Sequence, residues 1–404
     1  MDFLIRGKKI VTVSSRGTIM DGAIAVSNGK ITAVGNWDLL KQQSPGIEVI
    51  DCSDKVITPS LVDCHTHLLE FAPSSLHPVT PETHLLAGKA IMLQALSSGI
   101  TALGEQICGH PLCEFSLEDY RNAVADLPLD VSFATTSISI GFEELAHFTS
   151  VTRSRPVTQA ELVQPLIVSE IAKSSDYPGE NIFINATPAN FTAKEVPRAG
   201  EVVYSLDELK GIVTIFHRLG KRIGCHVAGE KGIQLALEAG FDVLHHAHGI
   251  TSKQLHYAKE LEVDFVATPM GGTHLRPNSP KEILAAFEKG IPISISTDAY
   301  LPPHPEAFWL PFVGNTLKGP DMLMLISQPS MLLLKTHGYD ENEILAMITA
   351  NPANILGKEA CFGRIEPGLE ANFLVAEGVP GLEISDIKQI MKVFFKGKKV
   401  IDRE

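Results

Sequence analysis

The stretch GKRIGCHVAGEKGIQLALEAGFDVLHHAHG, residues 220–249, decides the fold. Two short apolar runs, 222–229 and 242–249, flank a segment whose apolar residues follow helical spacing and which ends at Gly240. A strand, a helix and a second strand in this order predict a βα unit with parallel strands, because parallel neighbours need a crossover connection. The fold is therefore expected to be α/β.

The same alternation continues in both directions from this stretch. We predict eight strands, at 57–68, 101–106, 131–139, 181–189, 222–229, 242–249, 264–269 and 292–299. The clearest helical patterns lie at 204–220, 232–240, 252–263 and 279–290, and several open with Ser and end at Gly, as helix caps do. Eight βα units favour a closed (β/α)₈ TIM barrel over an open doubly wound sheet, for which a Gly-rich phosphate loop would be expected after the first strand.

The two ends of the chain differ from this central region. Residues 1–56 alternate short β-type runs with turns such as Asn28-Gly29, and the C-terminal segment returns to this style, with a second hairpin turn at Lys396-Gly397. We expect the two ends to form one small β-sandwich domain, 1–56 with 360–404, beside a barrel domain at 57–359.

The composition limits the classes of protein to which the chain can belong. Hydrophobic residues make up 44% and charged residues 20% of the 404 residues, which is typical of a folded globular protein. The formal net charge of −13 argues against nucleic-acid binding and favours a small-molecule partner. Arg6, Lys8 and Lys9 break the N-terminal apolar run, so we expect no signal peptide, no membrane span and a cytoplasmic location. The six cysteines are expected to be free thiols, and a homo-oligomer is the expected assembly.

A pair of histidines marks the end of the first predicted barrel strand, in the motif Asp63-Cys64-His65-Thr66-His67. Alternate side chains of a strand share one face, so His65 and His67 can point toward one metal ion. A pair of this kind also occurs by chance or in ordinary packing. The motif therefore needs support from other strands.

Three further strand ends carry the same kinds of side chain. His226 lies in the fifth predicted strand, His245, His246 and His248 lie in the sixth, and Asp298 lies in the eighth. In a barrel the carboxyl ends of the strands form one face, which would bring these side chains to a common point. Six of the 15 histidines lie on predicted strand ends, and burying so many imidazoles without partners would be unfavourable.

The combination of these motifs resembles the amidohydrolase superfamily of metal-dependent hydrolases. The resemblance covers nearly the full length. It rests on VITPSLVDCHTH at 56–67, on His226, His246 and Asp298, and on the later segments NPANILG and GRIEPGLEANFLV. Residues 220–249 are most similar to the prolidase-type and imidazolonepropionase-type members.

The resemblance implies a role for each matching residue. His65, His67, His226, His246 and Asp298 would hold a divalent metal ion, and zinc is the first choice for such ligands. When bound, the ion lowers the pKa of its water and polarises the scissile carbonyl. Asp298 would accept the water proton and return it to the leaving nitrogen, as general base and then acid.

One feature of the family is missing. Binuclear members often bridge two metals with a carbamylated lysine near the end of the fourth strand, but 181–189 contains no lysine and Lys194 comes too late. A glutamate forms the bridge in some relatives, and Glu105 in the second strand is the acidic residue suitably placed. It is either such a ligand or, as the preferred interpretation, a hydrogen-bonded carboxylate outside the ligand set. One metal ion is therefore the preferred count, with two as the alternative.

The expected reaction is hydrolysis of an amide or cyclic amide C–N bond in a small, cyclic or carboxylate-bearing molecule. Deamination of a heterocyclic ring is the first alternative. Deaminases of the superfamily place a glutamate three residues after the fifth-strand histidine, where this chain has Gly229, and Glu230 would need a turn to face the site. A non-catalytic binding protein built on the same barrel is the alternative from another class of function.

Residues beside the expected ligands suggest how a substrate is held. His248 is expected to orient the substrate or polarise its carbonyl, whereas His245 should face the helices as a hydrogen-bonded core histidine. His274 and Arg276, after the seventh predicted strand, are candidates for binding a substrate carboxylate or carbonyl, since an Arg side chain donates two parallel hydrogen bonds. An ordinary solvent-exposed loop arginine is the alternative for Arg276.

The loops beyond the strand ends carry fewer signals. His110 and His304 lie on such loops and receive no role. Residues 143–178 are long enough for a lid over the site, with an ordinary pair of helices as the alternative.

Overall fold

The computed structural model describes residues 3–70, 80–110, 113–137, 147–186, 189–191, 194–196 and 198–403. The strands are β1 Phe3–Val11, β2 Thr18–Ser27, β3 Lys30–Asn36, β4 Glu48–Pro59, β5 Leu61–Thr66, β6 Ile100–Ile107, β7 Asp130–Thr135, β8 His147–Phe148, β9 Pro156–Val157, β10 Ile182–Phe183, β11 Asn185–Ala186, β12 Glu201–Val202, β13 Gly224–Ala228, β14 Val243–His248, β15 Asp264–Ala267, β16 Ile293–Ile295, β17 Phe373–Ala376, β18 Ile390–Phe395 and β19 Lys398–Asp402.

The α-helices are α1 Trp37–Gln43, α2 Pro81–Ser97, α3 Leu117–Val124, α4 Gln159–Leu162, α5 Pro165–Ser174, α6 Leu206–Arg218, α7 Gly229–Ala239, α8 Ser252–Glu260, α9 Pro280–Glu288, α10 Leu323–Thr336, α11 Glu341–Leu345 and α12 Ala350–Ile355. Short 3₁₀ turns lie at Ser150–Thr152, Pro320–Met322, Ala346–Ile348 and Ile387–Gln389.

The two ends of the chain pair with each other, as predicted. They form one seven-stranded sheet in the order β19-β18-β17-β4-β1-β2-β3, with β17 antiparallel to β4. Both predicted hairpin turns are present, since Asn28, Gly29, Lys396 and Gly397 all have positive φ between their paired strands. The strands are assigned to a single sheet and not to the two packed sheets of a sandwich, and the predicted domain limits stay a prediction.

One end of the first predicted barrel strand belongs to this terminal sheet. Residues 57–59 are the last part of β4, which pairs with β1 and β17, and β5 begins only at Leu61. The sheet has its own apolar cluster, in which the rings of Phe373 and Phe394 stack with centroids 4.6 Å apart. Burial of such rings is the main source of stability for this part of the chain.

The central region contains all eight predicted strand positions. They form two parallel sheets, one of three strands in the order β5-β6-β7 and one of five in the order β10-β13-β14-β15-β16. Backbone hydrogen bonds also link the strands at the edges of the two sheets to segments that adjoin the other sheet. Asp298 N donates to His65 O at 3.1 Å, His67 N donates to Ala299 O at 2.8 Å, and Asp176 N donates to Phe133 O at 2.7 Å.

The four clearest helical patterns are confirmed as α6, α7, α8 and α9. Ser205, Thr251 and Ser279 cap α6, α8 and α9, each in a reciprocal capping box, which satisfies backbone N–H groups that a helix start leaves free. Gly240 ends α7 with a φ of 88°. In the described part of the chain no helix is both long and apolar enough to cross a membrane.

The segment predicted as a lid or a helix pair is only partly visible. Residues 143–146 lie outside the described residues, and 147–178 contain β8, β9, α4 and α5. The helix pair is present, and a role as a lid stays a prediction. All six cysteines are free, as expected.

Candidate metal centre

Two histidines at the end of β5 form one side of the candidate site. His65 is fully buried, and the side chain of His67 is 13% exposed. Their ring centroids lie 5.4 Å apart at an interplanar angle of 66°. The two Nε2 atoms face the same two carboxylates, as the predicted ligand spacing requires.

Glu180 occupies the centre of the histidine cluster. Its Oε1 lies 2.5 Å from His226 Nδ1 and 2.6 Å from His246 Nε2. Its Oε2 lies 3.2 Å from His67 Nε2 and 3.5 Å from His65 Nε2. Each oxygen of one carboxylate therefore contacts a different pair of histidines, which is the arrangement of a bridging ligand.

Asp298 forms the opposite wall of the site. Its Oδ1 lies 3.2 Å from His65 Nε2 and 3.4 Å from His67 Nε2, and its Oδ2 lies 4.0 Å from His246 Nδ1. Asp298, His246 and Ala247 all have positive φ, at 52°, 67° and 43°. Residues other than glycine rarely adopt this conformation, so the surrounding structure holds the backbone under strain to aim these side chains.

The charges in the site favour a bound cation. Burial alone would raise the pKa of Glu180, but the histidines around it, first His65, outweigh burial and hold that pKa well below its usual range. Burial lowers the pKa of His67, but the hydrogen bond with Glu180 and the charge of Asp298 outweigh it and raise that pKa to about 9. The two buried carboxylates, Glu180 and Asp298, lie within 3.5 Å of His65 Nε2 and so place negative charge where a divalent ion would also be attracted.

The side chains present fit such an ion. Among the described residues, two groups bring three ligand atoms within 4.8 Å of one another, namely His65, Glu180 and His246, and His65, His67 and Asp298. His65 Nε2 is buried and has no hydrogen-bond partner in the described part of the chain. Imidazole nitrogens and carboxylate oxygens are the ligand atoms that zinc and similar ions bind.

A hydrogen-bond relay fixes the proton on His65. His245 Nε2 lies 3.0 Å from Pro178 O, which only accepts, so that nitrogen carries the proton. His245 Nδ1 then accepts from His65 Nδ1 at 2.7 Å, which leaves the lone pair of His65 Nε2 facing the two carboxylates. His245 is hydrogen-bonded, as predicted, but the prediction that it faces the helices is wrong, because the positive φ values at His246 and Ala247 break the alternation of the strand.

Thr268 fixes His246 in the same way. Its Oγ1 donates to Gly271 O at 2.6 Å and therefore accepts from His246 Nδ1 at 2.7 Å, so that His246 Nε2 is free to bind a metal. His248 Nε2 lies 3.2 Å from the same oxygen, and His248 Nδ1 lies 2.7 Å from Thr273 Oγ1. Both nitrogens of His248 are thus engaged by threonine hydroxyls, and burial lowers the pKa of His248 well below its usual range. Its predicted contact with a substrate stays a prediction.

The structure does not bring Glu105 into either ligand group. The carboxylate accepts from Thr66 Oγ1 at 2.7 Å and from Leu69 N at 2.6 Å. Burial raises the pKa of Glu105 to about 7. Glu105 is thus the hydrogen-bonded carboxylate preferred from the sequence, and the carboxylate among the histidines is instead that of Glu180, which directly precedes the fourth predicted strand. The signal available in the sequence was an acidic residue next to that strand. It was missed because Glu180 lies before the strand, whereas ligands were expected at the carboxyl ends of strands.

The two predicted substrate residues differ in their surroundings. Arg276 is exposed and pairs with Glu282 at 2.9 Å, so a substrate carboxylate would have to compete with Glu282, and the predicted contact stays a prediction. His274 is partly buried and lines a cavity of about 460 Å³ together with Glu230 and Lys231. Gly229 has a φ of 78°, so the strand alternation ends there, and the exposed Glu230 that follows also borders this cavity.

Known proteins resemble the chain along most of its length. A family model described as "Amidohydrolase family" matches residues 56–400. The chain is 24% identical over 379 residues to an imidazolonepropionase of Fusobacterium nucleatum, covering 88% of this chain and 84% of that protein. It is 23% identical over 433 residues to a probable imidazolonepropionase of Homo sapiens, covering 92% and 90%. A crystal structure of a Xaa-Pro dipeptidase with bound methionine shares the fold, with a TM-score of 0.73, 16% identity and 99% of each chain covered.

Proposed function

The chain belongs to the amidohydrolase family, whose members include hydrolases of C–N bonds, and on that premise we propose that it hydrolyses an amide or cyclic amide bond of a small molecule at a divalent metal centre. One observation carries the proposal. The carboxylate of Glu180 is buried among four histidines, with Asp298 on the opposite side. Packing alone does not require this set, because burying carboxylates and imidazoles costs free energy unless they bind a partner.

The proposed ligands form two sets that share one carboxylate. The two β5 histidines and Asp298 would hold one ion, His226 and His246 would hold a second, and Glu180 would bridge them. We therefore propose two ions and not the single ion preferred from the sequence. Glu180 would take the bridging role for which the chain lacks a lysine. Zinc is the proposed metal, since nitrogen and carboxylate ligands suit it.

The bound ion would supply a water of lowered pKa and polarise the scissile carbonyl. Asp298 is the proposed general base, because its Oδ1 faces the nitrogens of both β5 histidines and its backbone N–H is fixed to His65 O. The Asp298 carboxylate accepts one proton of the attacking water and gives it to the leaving nitrogen, so that an acid and an amine result. Glu180 stays ionised throughout and holds the histidines in place.

The architecture that supports this site is proposed to be a closed (β/α)₈ barrel. The backbone bonds from Asp298 to His65 and from His67 to Ala299 join the segment after β16 to the end of β5, and the bond from Asp176 to Phe133 joins β7 to the segment before β10. Closure places the ends of the strands on one face, where barrel enzymes bind their substrates.

The substrate is proposed to be a small ring with a carboxylate. The two relatives named imidazolonepropionase support this choice, since the name indicates an imidazolone ring that carries a propionate. Deamination of a ring is a second candidate, favoured by the turn at Gly229, because it ends the strand alternation that would face Glu230 away from the site.

A product assay separates these candidates. Purified zinc-loaded protein would be incubated with a panel of lactams, N-acyl amino acids and amino-substituted rings, and the products separated by chromatography with a parallel ammonia assay. Ring opening or amide cleavage without ammonia supports the proposal, and ammonia release supports deamination. A protein that holds zinc but converts none of the panel, while its Asp298→Asn variant binds the same compounds equally well, would leave the binding protein as the better account.

A further inference from the structure

His304 has a buried nitrogen for which the described residues supply no partner. The side chain lies on the loop after β16, is 4% exposed, and its Nε2 lacks a hydrogen-bond partner. Its Nδ1 accepts from the backbone N–H of Glu306 at 3.1 Å. In the neutral imidazole the proton must then be on Nε2, so that this atom is a donor without an acceptor. Native structures rarely bury such a donor unless a ligand or water completes it.

The loop that carries His304 lies against the candidate metal centre. His304 N donates to Met270 O at 2.8 Å, which fixes it beside the loop after β15. In that loop, a Cβ on Gly272 would overlap the carboxylate of Asp298 and lie 2.5 Å from Cε1 of His246. The loop of His304 therefore contacts the loop after β15, and Gly272 in that loop packs against two proposed metal ligands.

A single side chain ties the surrounding loops together. Asn190 Nδ2 donates to Pro302 O at 2.6 Å, and Asn190 Oδ1 accepts from Gly272 N at 2.7 Å. The loop after β11 thereby holds the loops after β15 and β16 in one arrangement. The position of His304 is therefore set by named hydrogen bonds and is not that of a freely moving surface loop.

The titratable groups that the structure describes around His304 do not supply an acceptor for its Nε2. Burial lowers the pKa of His304, against the charges of Glu306 and Glu195, so the imidazole is neutral. Burial, and then His304, lower the pKa of His274. The buried Nδ1 of His274 also lacks a hydrogen-bond partner in the described part of the chain. His248 is electrostatically coupled to His304 as well, but both nitrogens of His248 are taken by threonines.

We propose that His304 donates from Nε2 to an oxygen of the substrate remote from the bond that is broken. The oxygen is a carbonyl or a carboxylate oxygen. This inference rests on the proposed function, since it places the remote end of that substrate beside the metal centre. It also moves the substrate contact predicted for Arg276 to His304, because Arg276 is paired with Glu282.

Three related lactams test the subsite by binding. They are 2-pyrrolidinone, which has no second oxygen group, 5-oxoprolinamide, which adds a carbonyl, and 5-oxoproline, which adds a carboxylate. Affinity for zinc-loaded protein would be measured by calorimetry for the wild type, His304→Leu, His304→Gln and the control His256→Leu, whose histidine is exposed. Zinc content would be measured on each.

The wild type should bind at least one of the two substituted lactams about tenfold or more tightly than 2-pyrrolidinone, and which one identifies the oxygen. His304→Leu should abolish that preference without changing zinc content, His304→Gln should restore part of it, and His256→Leu should match the wild type. Equal affinity for all three lactams in the wild type, no binding of any of them, or a preference that survives in His304→Leu would overturn the inference.

Failure of the subsite and failure of the proposed function give different results. If zinc binds and a substrate is hydrolysed, but His304→Leu behaves as the wild type, only the subsite is wrong. If the protein holds no zinc and hydrolyses nothing, but the preference depends on His304 in the metal-free protein, only the proposed function is wrong.

Discussion

Replacement of Thr268 by valine removes one hydroxyl from behind the metal centre while keeping the shape of the side chain. That hydroxyl donates to Gly271 O at 2.6 Å and accepts from His246 at 2.7 Å and from His248 at 3.2 Å. Valine leaves all three buried groups without this partner, and an unsatisfied buried group costs about 1–3 kcal/mol. Since the contact with His248 is long, we expect the metal-free protein to lose about 2–4 kcal/mol of stability.

The same substitution should weaken metal binding. Without its acceptor, the ring of His246 can rotate or carry its proton on Nε2, the atom that faces Glu180. Loss of the partner behind a ligating histidine lowers metal affinity about 10–100-fold. Zinc affinity would be measured by competition with a chelator, and stability by the urea midpoint of the metal-free protein.

Thr268→Ser is the matched control, because it keeps the oxygen and removes only a methyl group. It should retain zinc affinity close to that of the wild type. A valine variant with the zinc affinity of the wild type would refute the argument that Thr268 fixes His246. A serine variant as weak as the valine variant would show that the methyl group and not the hydroxyl matters.

Three further substitutions give distinct results. Glu105→Gln should keep the zinc content, and loss of one ion would show that Glu105 is a ligand. Burial raises the pKa of Glu105 to about 7, so the wild type has its full stability below the unfolded pKa of this group and loses part of it as the pH rises through 7. Glutamine does not ionise, so the urea resistance of metal-free Glu105→Gln should rise relative to the wild type between about pH 4 and pH 7. Asp298→Asn should keep the fold and lower turnover at least about 10²-fold in a steady-state assay, and near-normal turnover would remove Asp298 from the mechanism. Arg276→Ala should change stability by less than about 0.5 kcal/mol and leave KM unchanged, since its ion pair with Glu282 is exposed, and a raised KM would return Arg276 to the substrate site.

The sequence predicts the regular parts of this fold well because their signals are local. All eight strand positions of the central region and the four clearest helices follow from apolar periodicity and caps. The turns at Asn28-Gly29 and Lys396-Gly397 follow from residue types that tolerate positive φ. Pairing of the two chain ends was also predicted, but whether seven strands form one sheet or two depends on long-range packing that a sequence pattern does not encode.

The candidate site was predicted in part. The histidines of β5 and Asp298 do meet, because strand ends converge in a parallel α/β fold. Glu180 was missed because the fourth strand is interrupted and β10 has only two residues, so periodicity gives no register for the residues before it. The predicted direction of His245 was wrong for a related reason. The positive φ values in β14 depend on tertiary packing, which the alternation of side chains along a strand does not take into account.

The ion pair of Arg276 and the His304 Nε2 that has no partner among the described residues were not predicted from the sequence. The first is a local ion pair, whereas the second depends on which loops lie beside each other, and no sequence pattern encodes that. Arg276 pairs with Glu282 six residues later, whereas the place of His304 is set by Met270 and Asn190, which are distant in sequence.

The number of metal ions per chain tests the central claim most directly. Elemental analysis of purified, zinc-supplemented protein should give close to two zinc ions per chain in the wild type. Glu180→Gln should lose at least one of them, and the control Glu105→Gln should keep both. No zinc in the wild type after supplementation, or a content that Glu180→Gln does not change, would contradict the proposal that Glu180 bridges a metal centre among these histidines.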